Sequence, residues 1–434
     1  MMRGKLRSKS TIRPLILFTC WLALSALGAK AQEPIENASE LKAEQFQRRT
    51  IYHSPQSPGY TCWVGTWIMP DKSLMIAFDQ ATGPIEGRPR ASKEIQETNE
   101  WLKQEPQRDF TGLKLANVYL RSTDSGATWQ KVAEASFTGP IDRPVYSQSH
   151  IGLTDGAILR AVDGSQLPTT PGLPRRVYFQ RSMDLGKSWG KPEVPPEPTR
   201  PVEFLGDYGD GFSRIRRLRD GRLIALGTVI RDVIRRRGFG EAPGKNLPLI
   251  LVSDDEGKHW TSQILLPEEN REPGTWNEWD AAELPSGDLF CVVRRSDPQN
   301  RSKQVRWQGL LKKKEKTWQL ESYSPSVLVH SGHPELLATK EGMILHIATE
   351  GIHWTADIGQ TWKPVIFSGL HKTFRPPTAP QSLKTRYYPK SLQTEDGNIY
   401  VFAHNGWDNS YGEFDQSIVM DKFRLSTERV LTKD

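Results

Sequence analysis

Cysteine is scarce in this chain, and apolar runs are short. The 434 residues include three cysteines. Cys20 lies in an N-terminal apolar stretch, and Cys62 and Cys291 lie in strand-like segments of different repeat units, so buried free thiols are favoured over a disulfide. No apolar run is long enough to span a bilayer, and neither a coiled coil nor a low-complexity tract is present. These absences predict no stable membrane insertion, while the length of the chain and its 14 Trp predict a large core.

The N-terminal stretch has the order of a secretory signal. Residues 1–31 carry six basic residues and no acid, an apolar run from Leu15 to Leu27, and a small-x-small site that ends at Ala31. We expect a protein exported to the periplasm or secreted, cut after Ala31; an uncleaved anchor is the alternative. Without this leader the formal charge of +7 falls to about +1, so the charge gives no reason to expect nucleic acid as a partner.

A short apolar strand, a tight turn and a second apolar strand recur six times along the chain. The turn is Asp-Gly or a close variant, and Gly suits it because it accepts positive φ. The six copies are Met69–Leu74, Leu153–Ile158, Leu218–Leu223, Leu284–Leu289, Thr339–Ile344 and Thr394–Ile399. In the fourth copy we expect a half-buried strand that ends near Leu284, and then a second strand that runs from Leu289 to Val293.

A second pattern, Ser-x-Asp-x-Gly-x-x-Trp, follows most of these hairpins. We expect the Asp to cap backbone N–H groups, the Gly to be left-handed and the Trp to pack between neighbouring sheets, so the Asp residues are structural. The four copies are Ser122–Trp129, Ser182–Trp189, Ser253–Trp260 and, with Thr for Ser, Thr355–Trp362.

Six units of four strands predict an all-β chain, a six-bladed β-propeller of four-stranded antiparallel blades. The repeated turns resemble the Asp-box (BNR) repeats of the sialidase (neuraminidase) superfamily over about residues 50–425. The predicted organisation is a signal peptide at 1–31, a polar lead-in at 32–50 that either frays or closes the ring, and a sialidase-like propeller at 51–434. The strand Gln416–Arg424 is expected to complete the last blade.

Two loops interrupt the repeat, and a closing segment in a loop of the sixth blade has a distinctive composition. Thr82–Gly112, with a short polar helix expected at about 92–103, lies on the face opposite the hairpin turns and is either a lid or a passive insertion. Arg231–Asn246 carries an arginine run that favours a solvated charged loop over an anion site. Ala403–Asp415 mixes aromatic and polar groups that suit either sugar hydroxyls or ordinary turns.

Counting back eight residues from each hairpin turn gives one position at the start of each innermost strand. Side chains at these positions are expected to point towards a central channel. They are Trp63, Ser147, Phe212, Glu278, His333 and Tyr388. We expect His333 to be a hydrogen-bonding group there and not a metal ligand, because no spacing around it matches a helix-borne zinc signature.

The resemblance to sialidases implies roles for three residues. A retaining sialidase uses a Tyr nucleophile that a neighbouring Glu activates, because a phenol avoids the repulsion between a carboxylate nucleophile and the sugar's own carboxylate. Tyr388, Glu278 and Arg294 match the family's Tyr, Glu and one substrate-binding Arg. The alternatives are an ordinary strand-end Glu278 and a packing role for Tyr388, with Tyr387 replacing Tyr388 if the register differs by one.

The chain departs from the family at its other arginines. Sialidases hold the sugar carboxylate with three Arg, of which one is expected just ahead of the first inner strand and another in the fifth blade. This chain has no Arg between Arg49 and Arg88 and none between Arg306 and Arg375. Arg214 and Arg386 are candidates to restore the charge. Asp109 is the positional candidate for the acid/base, with Asp79 second, although a turn-capping role for Asp109 is equally compatible with its position.

Together these features predict an exported exo-α-sialidase-like glycoside hydrolase that removes a terminal, anionic sugar from a glycan without a cofactor. A hydrolase or lyase for a different sugar is one alternative, because the arginine set is incomplete. A non-catalytic carbohydrate-binding propeller is another.

Overall fold

The structure, a computed structural model, describes residues 38–55, 60–84, 86–98, 109–136, 149–163, 177–196, 214–230, 246–265, 276, 278–297, 304–328, 332–348, 351–367, 388–405 and 417–429. These residues lie in one compact unit, Ile35–Asp434. The predicted signal peptide, the loop at 231–246 and most of the segment at 403–415 lie outside the described residues.

Strands account for most of the described chain. They are β1 Ala38–His53, β2 Tyr60–Ile68, β3 Leu74–Thr82, β4 Lys114–Ser122, β5 Gln130–Ser136, β6 His150–Gly152, β7 Ile158–Asp163, β8 Val177–Ser182, β9 Arg214–Arg217, β10 Leu223–Ile230, β11 Asn246–Ser253, β12 Thr261–Ile264, β13 Trp279–Glu283, β14 Leu289–Ser296, β15 Gln304–Lys314, β16 Thr317–Pro325, β17 Glu335–Ala338, β18 Ile344–Ala348, β19 Gly351–Thr355, β20 Lys363–Phe367, β21 Lys390–Gln393, β22 Ile399–Asn405 and β23 Ser417–Arg429. The described helix is α1, Lys93–Thr98.

The strands form antiparallel sheets in sequence order. β2 to β5, β9 to β12 and β13 to β16 each make a four-stranded sheet, and β6 to β8 make a three-stranded one. The remaining strands form an eight-stranded sheet in the order β17-β18-β19-β20-β1-β23-β22-β21, in which the parallel pair of β20 and β1 joins two antiparallel halves. The prediction of an all-β chain built from four-stranded antiparallel sheets is confirmed.

The six hairpin turns lie where the sequence places them. In five of them the turn glycine has positive φ, as in Gly287 at 83°, and in the first copy Lys72 takes this conformation at 65°. One detail was wrong: β13 is buried on both faces and not half-buried. Asp280 lies on the face that was expected to meet solvent, and it contacts charged side chains of neighbouring sheets instead.

The repeated Ser-x-Asp turns have the predicted hydrogen bonds. In the first copy, Ser122 Oγ donates to Asp124 Oδ1 at 2.8 Å and accepts from Gly126 N at 2.8 Å, while Thr128 N donates to Asp124 at 2.9 Å. The other three copies repeat this set. Bonds from Thr128 and then Ser122 lower the pKa of Asp124 to about 2. Each Asp therefore serves the turn.

The tryptophans of these turns pack on the preceding sheet. Their ring partners and centroid distances are Trp129 with Phe402 at 5.5 Å, Trp189 with Tyr119 at 5.9 Å, Trp260 with Phe179 at 4.6 Å and Trp362 with Phe290 at 6.0 Å. The first sheet therefore packs on the last strands of the chain, and each later sheet that carries such a Trp packs on the sheet before it.

The N-terminal strand β1 completes the final sheet. It pairs antiparallel with β23 and parallel with β20. Arg48 of β1 donates two hydrogen bonds of 2.7 Å to Asp421 of β23. Of the two outcomes expected for residues 32–50, the described part forms a paired strand. β23 also includes the strand that was expected to complete the last blade.

The first strand of each sheet, or of each half of the large sheet, lies on the inside of the molecule. β2 contacts β6 and β21, β6 contacts β9, and β17 contacts β13 and β21. The inner strands are thus neighbours of one another. Helix α1 begins after Ser92, whose Oγ accepts from Ile95 N. No helix among the described residues has the length and apolar character needed to cross a bilayer.

Candidate functional site

Tyr388, Glu278 and Arg294 meet at the ends of the inner strands opposite the hairpin turns, which we call the mouth. Arg294 Nη1 lies 2.7 Å from Glu278 Oε2. The Tyr388 hydroxyl lies 3.4 Å from Glu278 Oε1 and 3.4 Å from Arg294 Nη1. These residues are 16, 94 and 110 positions apart in the chain. The structure therefore brings together the three residues that the sequence singled out.

The strands explain why these side chains converge. Glu278 immediately precedes β13, and Arg294 lies in β14, where its backbone N–H donates to Glu278 O at 2.8 Å. Tyr388 stands two residues ahead of β21. Because β13 and β21 both contact β17, the ends of neighbouring inner strands lie close together at the mouth.

The charges at the mouth are partly shielded from water. The side chains of Arg294 and Glu278 are 18% and 19% exposed, and Tyr388 is 6% exposed. Burial disfavours the charged form of Arg294, but the charge of Glu278, the interaction with Tyr388 and the hydrogen bonds to both together outweigh it and raise the pKa of the guanidinium. Arg294 is therefore a permanent cation beside the phenol.

Aromatic and aliphatic residues surround the Tyr388 ring. Its cluster, which we call the mouth cluster, consists of Trp63, Ala81, Phe110, Leu115, Val162, Tyr178 and Tyr388, with Leu113 packed against it. Trp63 has a φ of 48°, unusual for a residue other than Gly, and lies in a register shift between Cys62 and Gly65. The first sheet thus contributes apolar groups where the sialidase pattern has an arginine.

His333 lies beside Tyr388, with ring centroids 6.3 Å apart. Its Nδ1 lies 2.6 Å from Pro334 O, and the ring is 2% exposed. Burial, and then the ammonium group of Lys390, hold the pKa of His333 well below 6.5. The imidazole is therefore neutral, so one ring nitrogen can donate a hydrogen bond and the other can accept one.

A second set of residues, which we call the charged layer, lies two positions further along the inner strands. Its members are Arg214, Asp280, Glu335 and Lys390. Arg214 Nη2 donates to Glu335 Oε1 at 3.0 Å, and the Lys390 ammonium lies 3.4 Å from Glu335 Oε2. Asp280 pairs with Arg216, whose Nε donates at 3.0 Å. All four members are buried, and each of the two carboxylates is paired with at least one cation beneath the mouth.

This layer defines the position of Arg214, which was a candidate for substrate binding. Its guanidinium donates to Glu335 and to Ser391 O. Those contacts hold it one layer below Tyr388. Arg386 and Tyr387 lie outside the described residues.

Asp109 is buried in the loop ahead of β4. Its carboxylate accepts from the N–H groups of Ala91 and Thr111, both at 3.0 Å, and pairs with Arg90 at 3.0 Å. Burial alone would raise the pKa of Asp109, but the hydrogen bonds from Thr111 and Ala91 hold it below its usual value. This is the environment of a turn-capping carboxylate; the neighbouring Phe110 belongs to the mouth cluster. The acid/base role of Asp109 stays a prediction.

Asp79, the second acid/base candidate, is fully buried in β3, where Asn117 donates to it at 2.7 Å. Cys291 is a buried free thiol, as expected. Among the described residues, no group of three His, Cys, Asp or Glu is arranged to hold a metal ion.

The residues that sequence reasoning missed are those of the charged layer other than Arg214. Strand alternation, which repeats the mouth positions two residues later, could have found them.

No protein-family model matches this chain, and no curated protein matches it in sequence. Solved structures match its fold. A protein of unknown function from Dyadobacter fermentans has a TM-score of 0.56 at 15% identity and covers 90% of this chain and 100% of its own.

Two enzymes of known activity match similarly. The α-L-arabinofuranosidase of Fusarium graminearum, in complex with an iminosugar inhibitor, has a TM-score of 0.51 at 13% identity and covers 89% of this chain and 98% of its own. The Trypanosoma rangeli sialidase, in complex with sialic acid, has a TM-score of 0.51 at 13% identity and covers 88% of this chain and 59% of its own. At such identities the likeness concerns the fold alone: the chain has the β-propeller fold of these glycoside hydrolases.

Proposed function

We propose that this protein is an exported, retaining exo-glycoside hydrolase of the sialidase type, built as a six-bladed propeller. In this proposal Tyr388 attacks the anomeric carbon of a terminal anionic sugar, Glu278 takes the phenol proton, and Arg294 binds negative charge. Support for six blades comes from the six hairpins and from the turn tryptophans that link successive sheets. Export is inferred from residues 1–31 of the sequence.

The observation that carries the proposal is the meeting of a phenol, a carboxylate and a guanidinium at the mouth. Free tyrosine has a pKa near 10, so it needs a base to attack at neutral pH. Glu278 Oε1 lies 3.4 Å from the hydroxyl, a contact that can shorten when substrate binds, as catalytic hydrogen bonds often do.

The proposed reaction consists of two displacements at the anomeric carbon of the sugar. The Tyr388 oxygen bonds to the anomeric carbon as the bond to the leaving oxygen breaks, and the phenol proton passes to Glu278. The leaving oxygen takes a proton from a general acid, for which Asp109 is the candidate. Water then attacks the anomeric carbon and gives its proton to the carboxylate left by the general acid, while the bond to Tyr388 breaks and Glu278 returns its proton to the phenol oxygen.

Arg294 has a specific place in this sequence. In the resting state its charge is largely engaged by Glu278 at 2.7 Å. When Glu278 accepts the proton it becomes neutral, and the guanidinium is then available to the negative charge of the substrate. The ion pair thus couples proton transfer to stabilisation of the bound sugar.

A second candidate is a hydrolase for a sugar other than sialic acid. It is favoured by the state of Arg214, which is bound by Glu335 and leaves Arg294 as the cation placed against Tyr388 among the described residues. The fold likeness to an arabinofuranosidase is compatible with it.

The test is hydrolysis of a fluorogenic aryl α-sialoside beside aryl uronides and neutral aryl glycosides. The proposal expects turnover of the sialoside, NMR detection of the retained anomer as first product, and a mass increase on the peptide that contains Tyr388 after treatment with an activated fluorosialoside. An inverted product would refute the mechanism. Turnover of a neutral glycoside or uronide alone would select the second candidate, and binding without turnover would identify a lectin-like protein.

A further inference from the structure

The His333 ring presents a buried hydrogen-bond acceptor at the mouth. Its Nδ1 lies 2.6 Å from Pro334 O. A carbonyl oxygen only accepts, so Nδ1 carries the proton and Nε2 offers a lone pair. Nε2 is buried and has no hydrogen-bond partner in the described part of the chain. Its low pKa keeps the ring in this form at working pH.

The Lys390 ammonium presents the complementary donor. The side chain is fully buried, and its hydrogen bond to Glu335 Oε2 is 3.4 Å long. An ammonium group has three N–H donors. Glu335 Oε1 is meanwhile taken by Arg214 and Ser391. Within the described residues, Lys390 therefore has donors to spare for a further partner.

His333 and Lys390 lie at two neighbouring strand starts, one of which carries Tyr388. His333 stands two residues before Glu335 at the start of β17, and Tyr388 stands two residues before Lys390 at the start of β21. The strands β17 and β21 contact each other. The bond between Glu335 and Lys390 and the 6.3 Å separation of the His333 and Tyr388 rings link the same two strand starts.

We propose that His333 Nε2 and Lys390 Nζ together bind one hydroxyl group of the terminal sugar, which donates to the first and accepts from the second. The inference rests on the proposed function and adds a specificity element to it. Buried polar groups are almost always hydrogen-bonded, and a hydroxyl satisfies both at once. A carboxylate oxygen would set negative charge against the lone pair of His333, and an apolar substituent would leave both groups unpaired.

The competing occupant is an ordered water molecule, which also donates and accepts. A water would fill the same position whether or not sugar is bound. Its contacts would support the fold without distinguishing one sugar from another. Sugar analogues that lack a single hydroxyl therefore separate the two occupants.

The experiment compares wild type with His333→Phe, which lacks the acceptor, and His333→Gln, which keeps an acceptor at a similar reach. His259→Asn is the matched control, since His259 is exposed in a turn at the opposite end of the sheets. Each protein is assayed on the fluorogenic aryl α-sialoside and on its monodeoxy analogues. Calorimetry measures binding of free N-acetylneuraminic acid and its monodeoxy analogues, and thermal unfolding verifies folding.

We expect His333→Phe to lower kcat/KM on the parent sialoside by roughly 10- to 100-fold, mainly through KM, because a buried hydrogen bond is lost. On one deoxy analogue the kcat/KM of wild type should fall by a similar factor relative to the parent sialoside. The kcat/KM of His333→Phe should not fall further on that analogue. His333→Gln should recover part of the loss, and His259→Asn should match wild type. An equal loss from His333→Phe on every analogue, or no loss at all, overturns the inference and identifies water as the occupant.

The binding measurement separates this inference from the proposed function. If free sugar binds, and both His333→Phe and removal of one hydroxyl weaken the binding without additive effect, the inference holds even when no glycoside is hydrolysed. If wild type hydrolyses the sialoside and neither change has an effect, the inference fails while the proposed function stands. Absence of both binding and hydrolysis overturns both.

Discussion

Replacing Tyr388 by Phe removes one oxygen and leaves the ring in place. That oxygen makes two described contacts, both 3.4 Å long, so the free energy of unfolding should change by less than about 1 kcal/mol. The ring itself remains buried in the mouth cluster. The covalent route, in contrast, has no substitute nucleophile, so kcat should fall at least ~10³-fold, which corresponds to about 4 kcal/mol in the activation free energy.

The assay is release of the fluorogenic aryl group from an α-sialoside, followed beside thermal unfolding of the same samples. Tyr178→Phe is the matched control, because it removes a hydroxyl from another buried tyrosine of the mouth cluster and should leave kcat within a few-fold of wild type. Retention by Tyr388→Phe of roughly a tenth or more of the wild-type kcat would refute the nucleophile assignment.

Three further outcomes are expected. Glu278→Gln keeps the side-chain shape but cannot take the phenol proton, so kcat on the sialoside should fall roughly 10²- to 10⁴-fold. An unchanged kcat would contradict the role of Glu278 as the base. Asp280→Asn removes the charge that balances Arg216 in a buried pair, and chemical denaturation should show a loss of about 3–5 kcal/mol; a wild-type midpoint would disprove this. Burial lowers the pKa of His404 from 6.5 to about 4, so the unfolded chain binds a proton first as pH falls. Between pH 6.5 and about 4 the free energy of unfolding should therefore drop by up to about 3 kcal/mol. His404→Leu should lack this pH-dependent loss.

The hairpin and Ser-x-Asp turns could be predicted because their chemistry is local. A left-handed glycine and a capping carboxylate depend on residues within one turn, so each copy can be identified from a few neighbouring positions. The mouth residues could also be placed, since a fixed count back from each turn reaches the same end of every inner strand. Glu278 and Tyr388 met for this reason although 110 positions separate them.

The pairings within the charged layer could not be predicted in the same way, although strand alternation gives its positions. Whether Arg214 faces a substrate or a carboxylate depends on Glu335, which lies 121 positions away in another sheet. Pairings of this kind are decided by how sheets pack around the axis, and nothing local to either residue specifies them. The same reason explains β13, where burial of Asp280 follows from Arg216 in a neighbouring sheet.

The pairing of β1 with β23 makes the first and last described strands mutual partners. This pairing cannot form until almost the whole chain has been synthesised, so the large sheet is completed late in folding. Loss of residues 38–53 would leave β23 paired with β22 alone and expose a long unpaired edge, which is a template for association with other chains. A truncated protein should therefore self-associate through its C-terminal strand, even with every residue of the mouth intact.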